Sequence, residues 1–377
     1  MSAVVLTPAD RAVDALLTAL VRRGYVVIAP TVRDRAIVLA EVRSITDLPI
    51  GWSDEQEAAT YRVHKSSGRS LFHYAVGPTS PRRYLSPPRR TLWSAGRTDD
   101  GFEVADEAPP SPPYAFVGVR ACELAAVAVQ DHVLRDGPHP DPAYTLARNQ
   151  AFFVGVTCAR PASTCFCASA GTGPAIEAGQ DLALTEVLDD ERHEVLVAAA
   201  TERGADVVEE LKTTLSWRPA VNTDIEREEA IVATSVATMT RHLDLTSARD
   251  VLRSNLEHAR WDDVASRCLS CTNCTLVCPT CFCSAVEDVT SLSGDRAERV
   301  QRWDSCFTLG HSALHGAGSV RADTRSRYRQ WLTHKLSTWW DQFDESGCVG
   351  CGRCISWCPA GIDLTEEVAA MDARDSG

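Results

Sequence analysis

The stretch "CLSCTNCTLVCPTCFC", Cys268 to Cys283, sets six cysteines into sixteen residues. Its first four, Cys268, Cys271, Cys274 and Cys278, are spaced C-x2-C-x2-C-x3-C and are followed by Pro279. The same spacing returns in "CVGCGRCISWCP", at Cys348, Cys351, Cys354 and Cys358, again with a proline, Pro359. Three cysteines on one tight loop reach three corners of a small inorganic cube, while the fourth lies beyond a turn and points elsewhere. Each proline breaks the backbone just after that fourth cysteine, because its ring fixes φ and it has no N–H.

Two such runs are the signature of bacterial two-cluster ferredoxins, in which the fourth cysteine of each run serves the other cluster. The expected ligand sets are therefore crossed. Cluster one takes Cys268, Cys271, Cys274 and Cys358; cluster two takes Cys348, Cys351, Cys354 and Cys278. Structural zinc, the plainer alternative, usually takes two C-x2-C pairs, whereas each run here offers three close thiols and a C-P. Gly347, Gly350 and Gly352 are expected to leave backbone amides free to approach the cluster sulfurs. The insertion between the runs, about 284–345, is expected to be helical. It carries "RADTRSRYRQWLTHKL", whose Arg321, Arg325, Arg327, Arg329, His334 and Lys335 shield anionic clusters, dock a partner, or form a solvated helix face.

Working outward, 377 residues suffice for two or three domains. The net charge of −13 argues against a general nucleic-acid binder, which needs a basic surface. No apolar run is long enough to span a bilayer, and the N-terminal residues lack the pattern of a secretory signal. A cytoplasmic location is expected. Fifteen cysteines in a reducing compartment point to metal or redox chemistry rather than disulfides.

Residues 1–220 read as an α/β domain. A helix is expected over 8–22, strands at "YVVIAP" and "AIVLAEV", and loops across the proline- and glycine-rich 76–114. The apolar stretches "AFVGVR" (115–120) and "AFFVGVT" (151–157) flank a helical segment, so they are expected to be parallel neighbours. Further strands are expected near 183–187 and 194–199, a helix near 205–214, and a helical connector over 221–262. Residues 263–377 complete the chain as the two-cluster region with its insertion. Cys122 and Cys158 each follow one of the two parallel strands and would share the carboxyl edge of the sheet, where α/β proteins place their sites. A helix N-terminus at Cys122 favours an anion. Cys165 and Cys167 stand at i and i+2 in "TCFC" and project from one face of an extended segment. Cys122, Cys158, Cys165 and Cys167 are thus the candidate ligands of a third [4Fe-4S] cluster; the bland reading makes Cys122 and Cys158 small buried residues. The second "TCFC", with Cys281 and Cys283, leaves three options open. It binds a further metal with Cys306 and Asp304, shares one site with Cys165 and Cys167, or packs against cluster one.

In this order, "GVRACELAAV", "CFCASAGTGP", "CLSCTNCTLVCPTCFC", "WDSCF", "RYRQWLTHKL" and "CVGCGRCISWCPAGIDL" resemble the iron–sulfur β subunit of cytoplasmic sulfhydrogenases. These are NAD(P)-linked [NiFe]-hydrogenases, and the A subunit of anaerobic sulfite reductase is a related protein. The resemblance covers roughly 115–365. Ala121 and Glu123 stand where the family pattern has proline and aspartate. The resemblance implies a non-catalytic subunit that relays electrons between a flavin- and NAD(P)-binding subunit and the small and large [NiFe]-hydrogenase subunits. The residues fit that division of labour: no G-x-G-x-x-G follows a strand, no Walker motif occurs, and every C-x2-C includes a cysteine of a ferredoxin run. No catalytic residue is proposed. The alternatives are the sulfite reductase subunit and a non-enzymatic iron–sulfur sensor or scaffold. The expected architecture is an α/β N-terminal domain, a helical region, and a bacterial two-[4Fe-4S] ferredoxin-like domain with a long insertion.

Overall fold

Eight strands form the central sheet of the computed structural model, which describes residues 3–106 and 112–372. Across the sheet the strands run Ser216–Pro219, Val4–Thr7, His193–Ala199, Leu182–Leu188, Phe152–Val156, Tyr114–Val119, Val26–Arg33 and Ala36–Glu41. The four strands from Leu182–Leu188 to Val26–Arg33 are parallel, and the flanking pairs are antiparallel. The expected parallel pairing is present, with Val117 opposite Val154. Side chains alternate between two cores, as a pleated strand requires. Phe152, Val154 and Val156 face one core with Leu16, Leu17 and Leu20 of the helix Ala9–Arg22. Phe153 and Phe116 face the other, against Leu124 and Val127 of the helix Ala121–Leu134.

The helical connector is present as Asn222–Thr238, Leu245–Ser254 and Arg260–Arg267. Leu252, Trp261 and Val264 join Phe307, Tyr328, Trp331 and Leu336 of the insertion, and Ile355 and Leu364 near the second cysteine run, in a separate core. Cys268, Cys274, Cys348, Cys354 and Cys358 pack against its edge. The connector therefore wraps the cysteine loops.

Two expectations need correction. The insertion is not helical throughout: it begins with the antiparallel hairpin Ser284–Thr290 and Arg296–Trp303. Apolar alternation is nearly absent there because cross-strand charges set the pairing, Asp288 opposite Arg299 (3.2 Å) and Glu287 ion-paired with Arg302. Helices follow only at Thr324–Thr333 and beyond. Likewise the segment 76–114 is not simply loop. It holds the strands Arg89–Thr98 and Gly101–Asp106, which extend that hairpin into a four-stranded sheet; residues 107–111 lie outside the described residues. Arg90 clamps this small sheet to the α/β domain through a bidentate pair with Asp141 (2.9 and 2.7 Å).

Candidate metal centres

The two ferredoxin-type loops share one backbone. Left-handed residues precede a one-turn helix in each: Ser270 (φ 49°) and Thr272 (φ 69°) before Asn273–Leu276, Gly350 (φ 62°) and Gly352 (φ 70°) before Arg353–Ser356. Cys268, Cys271 and Cys274 line a cavity of about 470 Å³ together with Cys358 of the second run. Phe307, Tyr328 and Trp331 close its apolar wall. Backbone amides reach two of the sulfurs, Ser270 N donating to Cys268 Sγ and Ile362 N to Cys358 Sγ, both at 3.4 Å. Burial pushes the Cys274 thiol well above its ordinary range, and Cys268, Cys358 and Cys271 add to the effect.

Cys348, Cys351 and Cys354 gather with Cys278 of the first run. Burial raises the Cys354 thiol, with Cys348, Cys351 and Cys278 contributing next; burial also pushes Cys348 up to about 12. Cys278 is the exception, held well below the usual thiol range by a hydrogen bond with Cys281 and by the Lys335 ammonium. Lys335, on the single π-helical turn His334–Thr338, is buried and donates to Cys278 Sγ (3.4 Å), Thr280 Oγ1 (2.7 Å) and Gly347 O (3.2 Å).

The expected reason for Gly347 is corrected. Its amide is not free for a sulfur but donates to Lys335 O at 2.9 Å, and a Cβ there would meet the Trp339 ring at 3.0 Å. Gly350 and Gly352 are required by a neighbour. A Cβ at Gly350 would lie 2.7 Å from the Cys167 backbone, and one at Gly352 2.3 Å from Thr164 O. Phe166 N donates to Gly350 O at 2.8 Å. The second loop thus lies directly on the first TCFC turn.

That turn belongs to the third thiol group. Cys122 is the second residue of its helix and Cys158 follows the strand Phe152–Val156, so both stand at the carboxyl edge of the parallel strands. Cys122, Cys158, Cys165 and Cys167 are all buried. Burial raises each thiol; Cys167 adds to the shifts of Cys122 and Cys165, and Cys158 to that of Cys167, which reaches about 12. Cys351 acts on Cys122, Cys165 and Cys167 alike, so the second and third groups adjoin. Phe166 points away into the helical core. Cys281 and Cys283 share no site with Cys165 and Cys167; they line a separate cavity with Cys306. Asp304 turns to His311 instead (2.7 Å).

The basic run divides. Arg325 and Arg329 form exposed ion pairs with Glu257, a solvated face. Arg327 is buried and reaches Ser270 Oγ of the first loop (3.3 Å), while Lys335 goes to the second group. Among the described residues, no three Cys, His, Asp or Glu side chains gather as tightly as a single metal ion requires. Around the first ferredoxin-type loop the thiols line a hollow instead, the arrangement that suits a polynuclear cluster.

Residues 267–362 match the family model of the 4Fe-4S dicluster domain. The chain carries a 4Fe-4S dicluster domain. It is also a homologue of the sulfhydrogenase 2 subunit beta of Pyrococcus furiosus, 29% identical over 321 residues, which cover 85% of this chain and 90% of that protein. Among the described residues, no helix is long and apolar enough to cross a membrane.

Three residues that tie these thiol groups to the sheet escaped the reading of the sequence. Arg353, in the second cysteine run, is fully buried; its Nη2 meets Glu123 Oε1 at 2.6 Å and its Nε meets Gly77 O at 2.6 Å. Glu123 Oε2 in turn accepts from Arg120 N (3.0 Å). The Arg120 guanidinium donates to the carbonyls of Phe72 (2.7 Å), Tyr74 (2.8 Å) and Thr157 (3.1 Å), pinning the sheet edge that bears Cys158. The acid in the first-cysteine motif, read only as a departure from aspartate, is the tie between the α/β domain and the second cluster loop. Its position three residues after Arg120 was visible; its partner more than two hundred residues away was not.

Removing one partner of this buried pair leaves an uncompensated charge. Glu123→Ala is expected to destabilise the protein by about 3–5 kcal/mol, read as a lowered denaturation midpoint. A pH effect follows from the raised thiols. In chelator-treated, cluster-free protein, their folded-state values lie above the unfolded value of about 8.5, so their contribution to stability is present below that pH and is lost as pH rises through it toward 12. The unfolding midpoint of the cluster-free protein should therefore fall between about pH 8.5 and 11, and a flat profile contradicts the assignment.

Proposed function

We propose that the chain is the non-catalytic electron-transfer subunit of a cytoplasmic NAD(P)-linked [NiFe]-hydrogenase complex. In this reading it stands between a flavin- and NAD(P)-binding subunit and the small and large hydrogenase subunits. Cluster one is held by Cys268, Cys271, Cys274 and Cys358; cluster two by Cys348, Cys351, Cys354 and Cys278; a third [4Fe-4S] cluster by Cys122, Cys158, Cys165 and Cys167. Such clusters, when bound, supply one-electron transfer at potentials set by charge, hydrogen bonds to sulfur and exposure.

The chain's own residues do the rest. The observation that carries the reading is the close seat of the second loop on the first TCFC turn, where Gly350 and Gly352 leave no room for a side chain. It brings Cys351 beside Cys122, Cys165 and Cys167, and so sets three thiol groups in a continuous line. The rings of Phe307, Tyr328 and Trp331 give the first group an apolar wall on one side. Lys335 and Arg353 place positive charge beside the second. The likeness to a sulfhydrogenase β subunit over most of both chains supports the hydrogenase assignment.

Anaerobic purification of the native complex tests it. Nickel, flavin and iron should co-purify with the chain, whereas sirohaem in place of nickel would move the subunit to a sulfite-reducing complex. In the same preparation, replacing Cys165 and Cys167 by serine should lower the iron by about four atoms per chain, one cube; unchanged iron removes the third cluster.

A further inference from the structure

Three thiols remain outside these ligand sets, and they are together. Cys281, Cys283 and Cys306 line one cavity of about 350 Å³, walled by His334, Lys335 and the rings of Trp331 and Trp339. The hairpin in the insertion builds it: the strands Ser284–Thr290 and Arg296–Trp303 pair from Ser284 and Trp303 outward, and Asp304 N donates to Cys283 O at 2.9 Å. Cys306 is thereby delivered from a distant part of the chain to Cys283, with which it shares a hydrogen bond.

The electrostatics ask for an anion. Arg82 and Lys335 are 2% and 7% exposed, and among the described residues neither is paired with a carboxylate. Arg82 Nη1 donates only to the carbonyls of Thr275 and Cys278, both at 3.1 Å, and its Nε has no partner. Both cations face Cys278 and Cys281, and Arg82 also faces Cys283. A buried cation without a counter-ion is strongly disfavoured. Cys278 alone serves cluster two. Neutral thiols supply no charge, whereas thiolates on an iron–sulfur core do.

We propose that Cys281, Cys283, Cys306 and the imidazole of His334 hold a further iron–sulfur cluster, beyond the three assigned above. Its loading is a ligand exchange. Its source is a thiolate cluster carrier: four Fe–S bonds to the carrier and three S–H bonds here break, and three Fe–S bonds and one Fe–N bond to the neutral imidazole form. Three carrier thiolates take up the three protons, the fourth leaves as thiolate, and no electron moves. Trp331 lines both this cavity and that of cluster one, and Lys335 bonds Cys278 of cluster two. The site thus borders both ferredoxin-type centres and forms a branch rather than an extension of the line.

The wild-type full chain, purified anaerobically, gives the first test. Native treatment with iodoacetamide and peptide mapping should find Cys281, Cys283 and Cys306 protected, and chelation of iron should expose all three. Labelling in the native protein, a Cys283–Cys306 disulfide, or protection that iron removal leaves in place overturns the proposal. The double variant Cys283→Ala, Cys306→Ala should lose about four iron atoms per chain while the reduced ferredoxin clusters keep their electron paramagnetic resonance. Unchanged iron, or loss of zinc instead, overturns it. His334→Ala should keep the iron but alter the spectrum of this one cluster, and an unaltered spectrum rules out the imidazole. Loss of iron on replacing Cys165 and Cys167 reports on a different site, so the two assignments stand or fall separately.

Discussion

The second cysteine loop rests on the first TCFC turn with no side chain between them, and the hydrogen bond from Phe166 N to Gly350 O holds the two backbones in register. The turn geometry alone does not demand glycine. The first loop adopts the same left-handed conformation with Ser270 and Thr272, at the cost of about 1–2 kcal/mol per residue that an L-side chain carries there. What separates the loops is their surroundings. Ser270 and Thr272 have room for a Cβ, whereas at Gly350 and Gly352 the space is filled by Cys167 and Thr164. The glycines of the second run therefore record a contact between two distant parts of the chain.

That contact concentrates charge. The chain carries a net −13, yet the cations Arg82, Arg120, Lys335 and Arg353 are buried beside cysteines. Only Arg353 has a carboxylate for company, and Glu123 is itself engaged by the Arg120 backbone. Burial works against the charge on Arg353, but Glu123, Cys351 and Cys122 outweigh it. Buried cations gathered beside cysteines in an acidic chain are an unusual local distribution for a protein interior. It suits a protein whose interior holds thiolate-bound anions, because the protein charges that meet them must be positive and shielded from water.

Much of this was legible from residue spacing. The C-x2-C-x2-C-x3-C-P runs encode their ligands locally, and the two apolar strands before Cys122 and Cys158 encode their parallel pairing, so the positions of both thiols at one sheet edge followed. The hairpin Ser284–Trp303 was not legible, since charges pair its strands and Val300 is its one buried apolar residue among the described residues, so period-two apolar patterning, the usual signal, is missing. Nor was the fate of the second TCFC. Cys281 has only Cys278 of the neighbouring run close in sequence, and Cys306 reaches Cys283 because that unforeseen hairpin returns the chain to its starting point. The Glu123–Arg353 tie was hidden for the same reason: a lone acid at a helix start has many possible partners, and sequence distance gives no hint of the right one.

The two ferredoxin-type loops, alike in backbone, differ in what covers them, and this bears on the direction of the proposed relay. The second is enclosed by the α/β domain, with Val349 and Cys351 buried. The first faces outward: Cys271 is exposed, Leu269 is 68% exposed and Leu276 42%. Exposed apolar side chains occur elsewhere on the described surface too, Leu292, Leu314 and Val320 among them, so the two leucines mark where this loop faces solvent. The third thiol group, by contrast, lies wholly buried behind the second. Cys271 is the exposed thiol of the two ferredoxin-type groups, whereas all four thiols of the third group are buried. The burial pattern thus orders the sites from outside inward, and it does so with the same glycines that let the second loop settle against the sheet.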